Sequence, residues 1–185
     1  MKLYDDLQKY HNYTDYQIKL VQYALKSIFS EISKFGILVV FFLLIGKLPE
    51  FLLAALPLLF FRRYNGGLHC NTYLTCLLAS FLFFFVGIVI LPSWISVPFA
   101  VGLVLMAAMT VLIPLIAPVK SKYHAEVEPA RIRKYKLWTL AVMAGLTLLY
   151  WKLPQNPYMI NGFWIVMLHA IQLSIAYIKK RRCEK

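Results

Sequence analysis

Residues Leu74–Leu91 read LTCLLASFLFFFVGIVIL, a stretch without a single charged side chain. A helix needs about 20 apolar residues to cross a bilayer, and a soluble helix of this length would carry a polar stripe along one face. Val97–Val119 and Pro157–Ile178 are likewise uncharged, and Leu137–Trp151 is a shorter run of the same kind. Of the chain's 185 residues 61% are hydrophobic, and its mean hydropathy is +0.65. That is well above the apolar share of a soluble domain. The reading is an all-α, polytopic integral membrane protein.

Working outward from that stretch, the remaining spans follow. The start MKLYDDLQKYHNYTD is polar and lacks the apolar core of a cleavable signal peptide. Leu3 and Leu7 lie one helical turn apart, which fits a short amphipathic helix at the membrane interface. Thr14-Asp15-Tyr16-Gln17 reads as a capping box that starts a new helix. Ile18, Val21, Leu25, Ile28, Phe29, Ile32 and Phe35 continue it at helical spacing, toward a first span ending near Ile45. Gly46–Glu50 is a turn. Phe51–Phe61 is a short second span interrupted by Pro57. The third is residues 74–91, the fourth about 97–117, the fifth about 136–151 and the sixth about 158–178. Pro92–Ser96 and Lys152–Pro157 connect them. Trp94, Trp138, Trp151 and Trp164 read as interfacial anchors.

The domain expectation is therefore an interfacial segment over residues 1–34, a six-span membrane domain over 35–178 and a basic tail over 179–185. The membrane domain carries a polar segment, 62–76, and a basic loop, 118–136.

Charge sets the topology. With six spans, one side receives the N-terminal segment, residues 62–73, residues 118–136 and the tail, and that side holds 18 of the 20 lysines and arginines. Lys47 and Lys152 alone fall on the other side. The positive-inside rule then puts both termini in the cytoplasm. It also accounts for the formal net charge of +12 without invoking nucleic acid.

On the cytoplasmic side lies RRYNGGLHCNTYLTC, residues 62–76, with two of the three cysteines and one of the four histidines. Cysteine is a nucleophile as its thiolate, and a neighbouring histidine can take its proton. His69 and Cys76 are seven apart, which on a straight helix returns to nearly the same face, about 20° off. The axial rise, however, would be about 10.5 Å, too far for contact. A working pair needs a break between them. Gly66-Gly67 frees the backbone, and Asn71 or Thr72 can cap the start of the third span. Cys70 is the rival nucleophile, but side chains of adjacent residues diverge, which favours Cys76. Each residue also has a plainer reading: a packing cysteine, a solvated histidine, arginines that anchor the span. Cys70, Cys76 and His69 lack the paired short spacing of a structural zinc motif, so neither metal nor other cofactor is expected.

Arg62-Arg63-Tyr64, Gly67, His69 and Cys76 together resemble the accessory gene regulator B (AgrB) family of membrane cysteine endopeptidases. Most of the chain shares the likeness, including the polar N-terminal segment, the six spans, Ala117-Pro118 at the end of span four and the basic loop before span five. The resemblance implies that His69 and Cys76 are catalytic. Arg62, Arg63 and Gly67 match the family's upstream positions, and Asn71, Lys120, Lys122, Arg131 and Arg133 are candidates for supporting or substrate-binding roles. It departs from the family in Cys70, directly after the histidine.

The resemblance further implies a bacterial cytoplasmic membrane, with the site at the cytoplasmic face. The substrate would be an AgrD-like precursor peptide with an acidic C-terminal segment. The protein would cut that segment off and cyclise the remainder, through a thioester on Cys76, into a thiolactone or lactone quorum-sensing signal. Phe60, Phe61, Leu74 and Leu77 would wall the site from water. A homodimer is left open.

The alternative is a small membrane peptide exporter without proteolytic activity. A transporter buries ionisable residues in mid-span, and here only His169, in the sixth span, lies so.

Overall fold

The computed structural model describes residues 15–65, 72–119, 129–154 and 156–183. The chain divides into two compact units, Met1–Leu44 and Ile45–Lys185. The described part of the first unit is one helix, α1 (Asp15–Leu44). It starts inside the expected capping box. Its charged residues all lie between Asp15 and Lys34, and Glu31 pairs with Lys34 one turn on. From Phe35 to Leu44 it is uncharged.

The second unit contains α2 (Leu48–Asn65), α3 (Tyr73–Phe85), a π-helical segment (Val86–Ile90), α4 (Leu91–Trp94), α5 (Phe99–Ile116), α6 (Pro129–Lys152) and α7 (Pro157–Cys183). No strand element occurs among the described residues. Gly46 turns the chain ahead of α2 at φ +69°, where a β-carbon would be strained. Phe51 N donates to Lys47 O at 3.1 Å to open α2. Pro49 in the first turn lacks only an N–H that would have no partner there. Pro57 does not end the helix: it removes one rung of the ladder, and α2 runs on to Asn65.

Two further boundaries differ from expectation. The chain does not break at Pro92 but stays helical to Trp94 by way of the π-helical turn. Pro92 sits at the very start of α4, where a missing N–H is tolerated, and Ser93 Oγ donates to Val89 O at 2.6 Å. The π-helical turn also holds Gly87 against α7, where an added β-carbon would lie 2.7 Å from Ile165 Cδ1. The other boundary is α6, which begins at Pro129, so residues 129–136 of the expected basic loop are the first two turns of a helix.

Contacts between helices set their directions. Phe51 at the start of α2 meets Phe84 at the end of α3, ring to ring, at 4.9 Å. Tyr150 near the end of α6 stacks at 6.2 Å on Phe99, at the start of α5, and at 5.7 Å on Phe163 of α7. Asn65, closing α2, reaches Val119 just past α5 and Thr139 in the first half of α6. One end of the unit therefore gathers the ends of α2, α5 and α7 with the starts of α3 and α6. The opposite end gathers the rest. Arg62, Arg63, Arg131, Arg133, Lys134, Lys136 and Lys179–Arg182 belong to elements at the first end. Lys47 and Lys152 belong to the second.

Among the described residues three helices are long and apolar enough to cross a membrane: Tyr73–Trp94, Phe99–Ile116 and Pro157–Lys179. They correspond to the expected third, fourth and sixth spans. Leu48–Phe61 is a shorter apolar helix. The core between the helices holds Met106, Ile113, Met143, Phe163, Val166 and Leu173. Outward-facing residues are equally apolar: Val104 and Leu115 are each 68% exposed. An apolar exterior around a packed apolar interior suits lipid rather than water. In lipid, polar contacts help hold helices together. Thr110 on α5 and Thr147 on α6 place their hydroxyl oxygens 2.9 Å apart.

Candidate active site

The expected site residues fall into two groups. Gly67, His69, Cys70, Asn71, Lys120 and Lys122 lie outside the described residues. Arg62 and Arg63 are in the last turns of α2, Cys76 is in the first turn of α3, and Arg131 and Arg133 are in the first turns of α6 with exposed side chains.

Local sequence explains the position of Cys76. Thr72 is extended, at φ −122° and ψ 153°, and is the N-cap of α3. Its hydroxyl oxygen accepts from Thr75 N at 3.3 Å and lies 2.8 Å from Thr75 Oγ1, which donates to Thr72 O at 3.0 Å. The two threonines thus satisfy one another while closing the turn. Cys76 N donates to Thr72 O at 3.2 Å, the first rung of the helical ladder. The half-buried Cys76 side chain thus stands at the start of α3, directly after the residues whose N–H groups lack intrahelical partners.

A second cluster joins the polar segment to the basic stretch. Val119 N donates to Asn65 O at 2.9 Å. Thr139 Oγ1 donates to Asn65 Oδ1 at 2.6 Å, and both side chains are fully buried. One residue earlier, Tyr64 packs against Phe60 at 4.5 Å and edge-on to Tyr135 of α6 at 5.1 Å. The entry to the polar segment is thereby held against both flanks of the basic stretch. The residue spacing contains no signal for this, since Asn65 and Thr139 are 74 positions apart. A polar residue a turn past an apolar run, and a threonine inside another, are the only marks they leave.

The expected apolar wall is divided. Phe61 is buried and stacks on the buried His169 at 5.2 Å, so it belongs to the helix core. Leu74 is 62% exposed, whereas Leu77 is half-buried beside Cys76. His169 is thus a packed interhelical ring. Among the described residues no three metal-ligating side chains cluster.

These features define a small all-helical membrane protein with a cysteine at a capped helix start, among basic elements gathered at the same end. The chain belongs to the accessory gene regulator B family, whose profile matches residues 1–173. A 66-residue stretch is 42% identical to a protein of Clostridium beijerinckii described as AgrB-like, covering 36% of this chain and 33% of that relative. The match thus spans about a third of the relative's length. No solved structure matches. Family membership supports a role in the agr quorum-sensing system.

Proposed function

We propose that the chain is a membrane cysteine endopeptidase that processes an AgrD-like precursor peptide into a cyclic signal. The observation that carries this reading is the break at Thr72. Its backbone is extended and α3 begins only at Tyr73, so no straight helix runs from His69 to Cys76. The 10.5 Å rise that would separate the pair on such a helix, about two turns, does not apply.

In the proposed reaction His69 takes the thiol proton of Cys76. The thiolate attacks a backbone carbonyl of the precursor, the C–N bond breaks, and the imidazolium returns its proton to the departing amine. The remaining peptide is held as a thioester on Cys76. A thiol or hydroxyl within that peptide then attacks the thioester, giving its proton to His69 and expelling the Cys76 thiolate, which recovers the proton. The products are a cyclic thiolactone or lactone and the enzyme as it began. Exchange of one thioester for another is nearly isoenergetic, so water must be kept from the site.

The topology that goes with this reading has six spans, both termini in the cytoplasm and the site at the cytoplasmic face. Basic residues on elements sharing an end with Cys76 support it, because they would draw in an acidic C-terminal segment.

The test is cleavage of a candidate precursor by the purified protein in liposomes. Cys76→Ala and His69→Ala abolish cleavage, while Cys70→Ala retains most of it. Full cleavage by Cys76→Ala overturns the reading, and peptide transport without cleavage by the wild type favours an exporter.

A further inference from the structure

The reaction leaves Asn65 unused, yet this residue is fully buried and ties the end of α2 to α6 and to Val119. Its backbone carbonyl accepts from Val119 N at 2.9 Å, and its side-chain Oδ1 accepts from Thr139 Oγ1 at 2.6 Å. Among the described residues its buried Nδ2 has no hydrogen-bond partner. An apolar side chain closing α2 would pack as well but could not accept from the Thr139 hydroxyl, so packing alone is a poor reason for asparagine here. Buried polar contacts of this kind hold one register where apolar contacts permit several.

What is being held is specific. Asn65 is the last residue of α2, directly ahead of Gly66-Gly67 and four residues before His69. Two glycines free the backbone, so any constraint on the segment's origin must come from upstream. Val119 and Thr139 flank the basic stretch that would bind precursor.

We propose that Asn65, through its bond from Thr139, is a positioning residue: it sets the origin of the His69 segment relative to the basic stretch, so that bound peptide and catalytic pair meet in one register. This inference rests on the His69–Cys76 reading above. It does not make Asn65 catalytic, since it acts through the segment that follows it.

The experiment reads the catalytic pair without substrate. A Cys70→Ser, Cys183→Ser background leaves Cys76 as the only thiol. In liposomes, its alkylation by iodoacetamide is followed across pH for that background and for added His69→Ala, Thr139→Val and Thr139→Ser. The background reacts at a lower pH than His69→Ala, which lacks the base. Thr139→Val, which deletes the donor and keeps the volume, moves toward the His69→Ala profile and slows alkylation near neutral pH by about tenfold, as small misplacements of reacting groups do. Thr139→Ser, which keeps the hydroxyl, stays close to the background. Helix content and unfolding midpoint are compared throughout.

If the background and His69→Ala profiles coincide, the catalytic reading fails and takes the positioning role with it. If they differ but Thr139→Val follows the background, the positioning role alone is overturned. Equal losses in the Val and Ser variants also overturn it, because methyl packing rather than the hydrogen bond would then be responsible.

Discussion

The backbone N–H of Cys76 bonds to the carbonyl of Thr72 at 3.2 Å, which puts the thiol within the first turn of α3. Everything proposed for that thiol depends on where the helix starts, and the start depends on one side chain. Thr72→Ala removes the hydroxyl that caps Thr75 N. It should destabilise the protein by about 1 kcal/mol, the usual value of an N-cap, while Thr72→Ser changes stability by a few tenths at most. Unfolding midpoints in detergent check both. Cleavage should follow stability in each variant, because a frayed first turn no longer holds Cys76.

The exposed side chains of Arg131 and Arg133 project from the first turns of α6. Reversing both to glutamate should raise KM for an acid-tailed precursor by about tenfold and leave kcat nearly unchanged, since rim charges act on encounter and binding. A precursor with a neutral tail should show little difference between wild type and variant. Added salt should narrow the gap by screening. A loss in kcat alone would point to a role in the chemistry instead.

Gly87 lies where a β-carbon would meet Ile165 Cδ1 at 2.7 Å and Leu168 Cδ1 at 3.2 Å. Alanine needs only the tip of the isoleucine to move. Gly87→Val should destabilise by about 1–3 kcal/mol through overpacking. Adding Ile165→Val, which deletes the clashing methyl, should recover part of that loss. A double-mutant cycle on unfolding midpoints measures the coupling.

The proposed topology can be read from single cysteines placed at Lys47, Lys152, Arg131 and Arg181 in a Cys70→Ser, Cys76→Ser, Cys183→Ser background. An impermeant maleimide added to intact cells should label positions 47 and 152 but not 131 or 181. Labelling at 131 would reverse the orientation, and labelling at both ends of the unit would remove it.

Much of this was legible before any coordinates. Uncharged runs marked the three membrane-length helices to within a few residues, because length and hydropathy are local properties. The start of α1 at Asp15 followed from its capping box. The Thr72 cap was one of two candidates, and the structure chose it over Asn71, placing Thr72 at the N-cap with its hydroxyl on Thr75 N. Less legible were the boundaries at proline. Pro57 and Pro92 read as interruptions, yet the helices continue through both: α2 loses a single rung, and at Pro92 a π-helical turn precedes a residue that needs no N–H. Pro129 opens α6, so residues 129–136 of the expected basic loop are helical.

By itself, then, the sequence determined an all-helical, lipid-compatible chain with its basic residues on one set of connecting segments. It also singled out His69 and Cys76, and showed that a straight helix cannot pair them. Only the tertiary structure decided what those segments touch. The Asn65–Thr139 bond, the Val119 contact and the Tyr64–Tyr135 packing link residues far apart in the chain, through directional contacts between single atoms or rings. Hydropathy and periodicity sum over many residues and survive averaging along a sequence, whereas one hydrogen bond between distant helices exists only once the helices have packed.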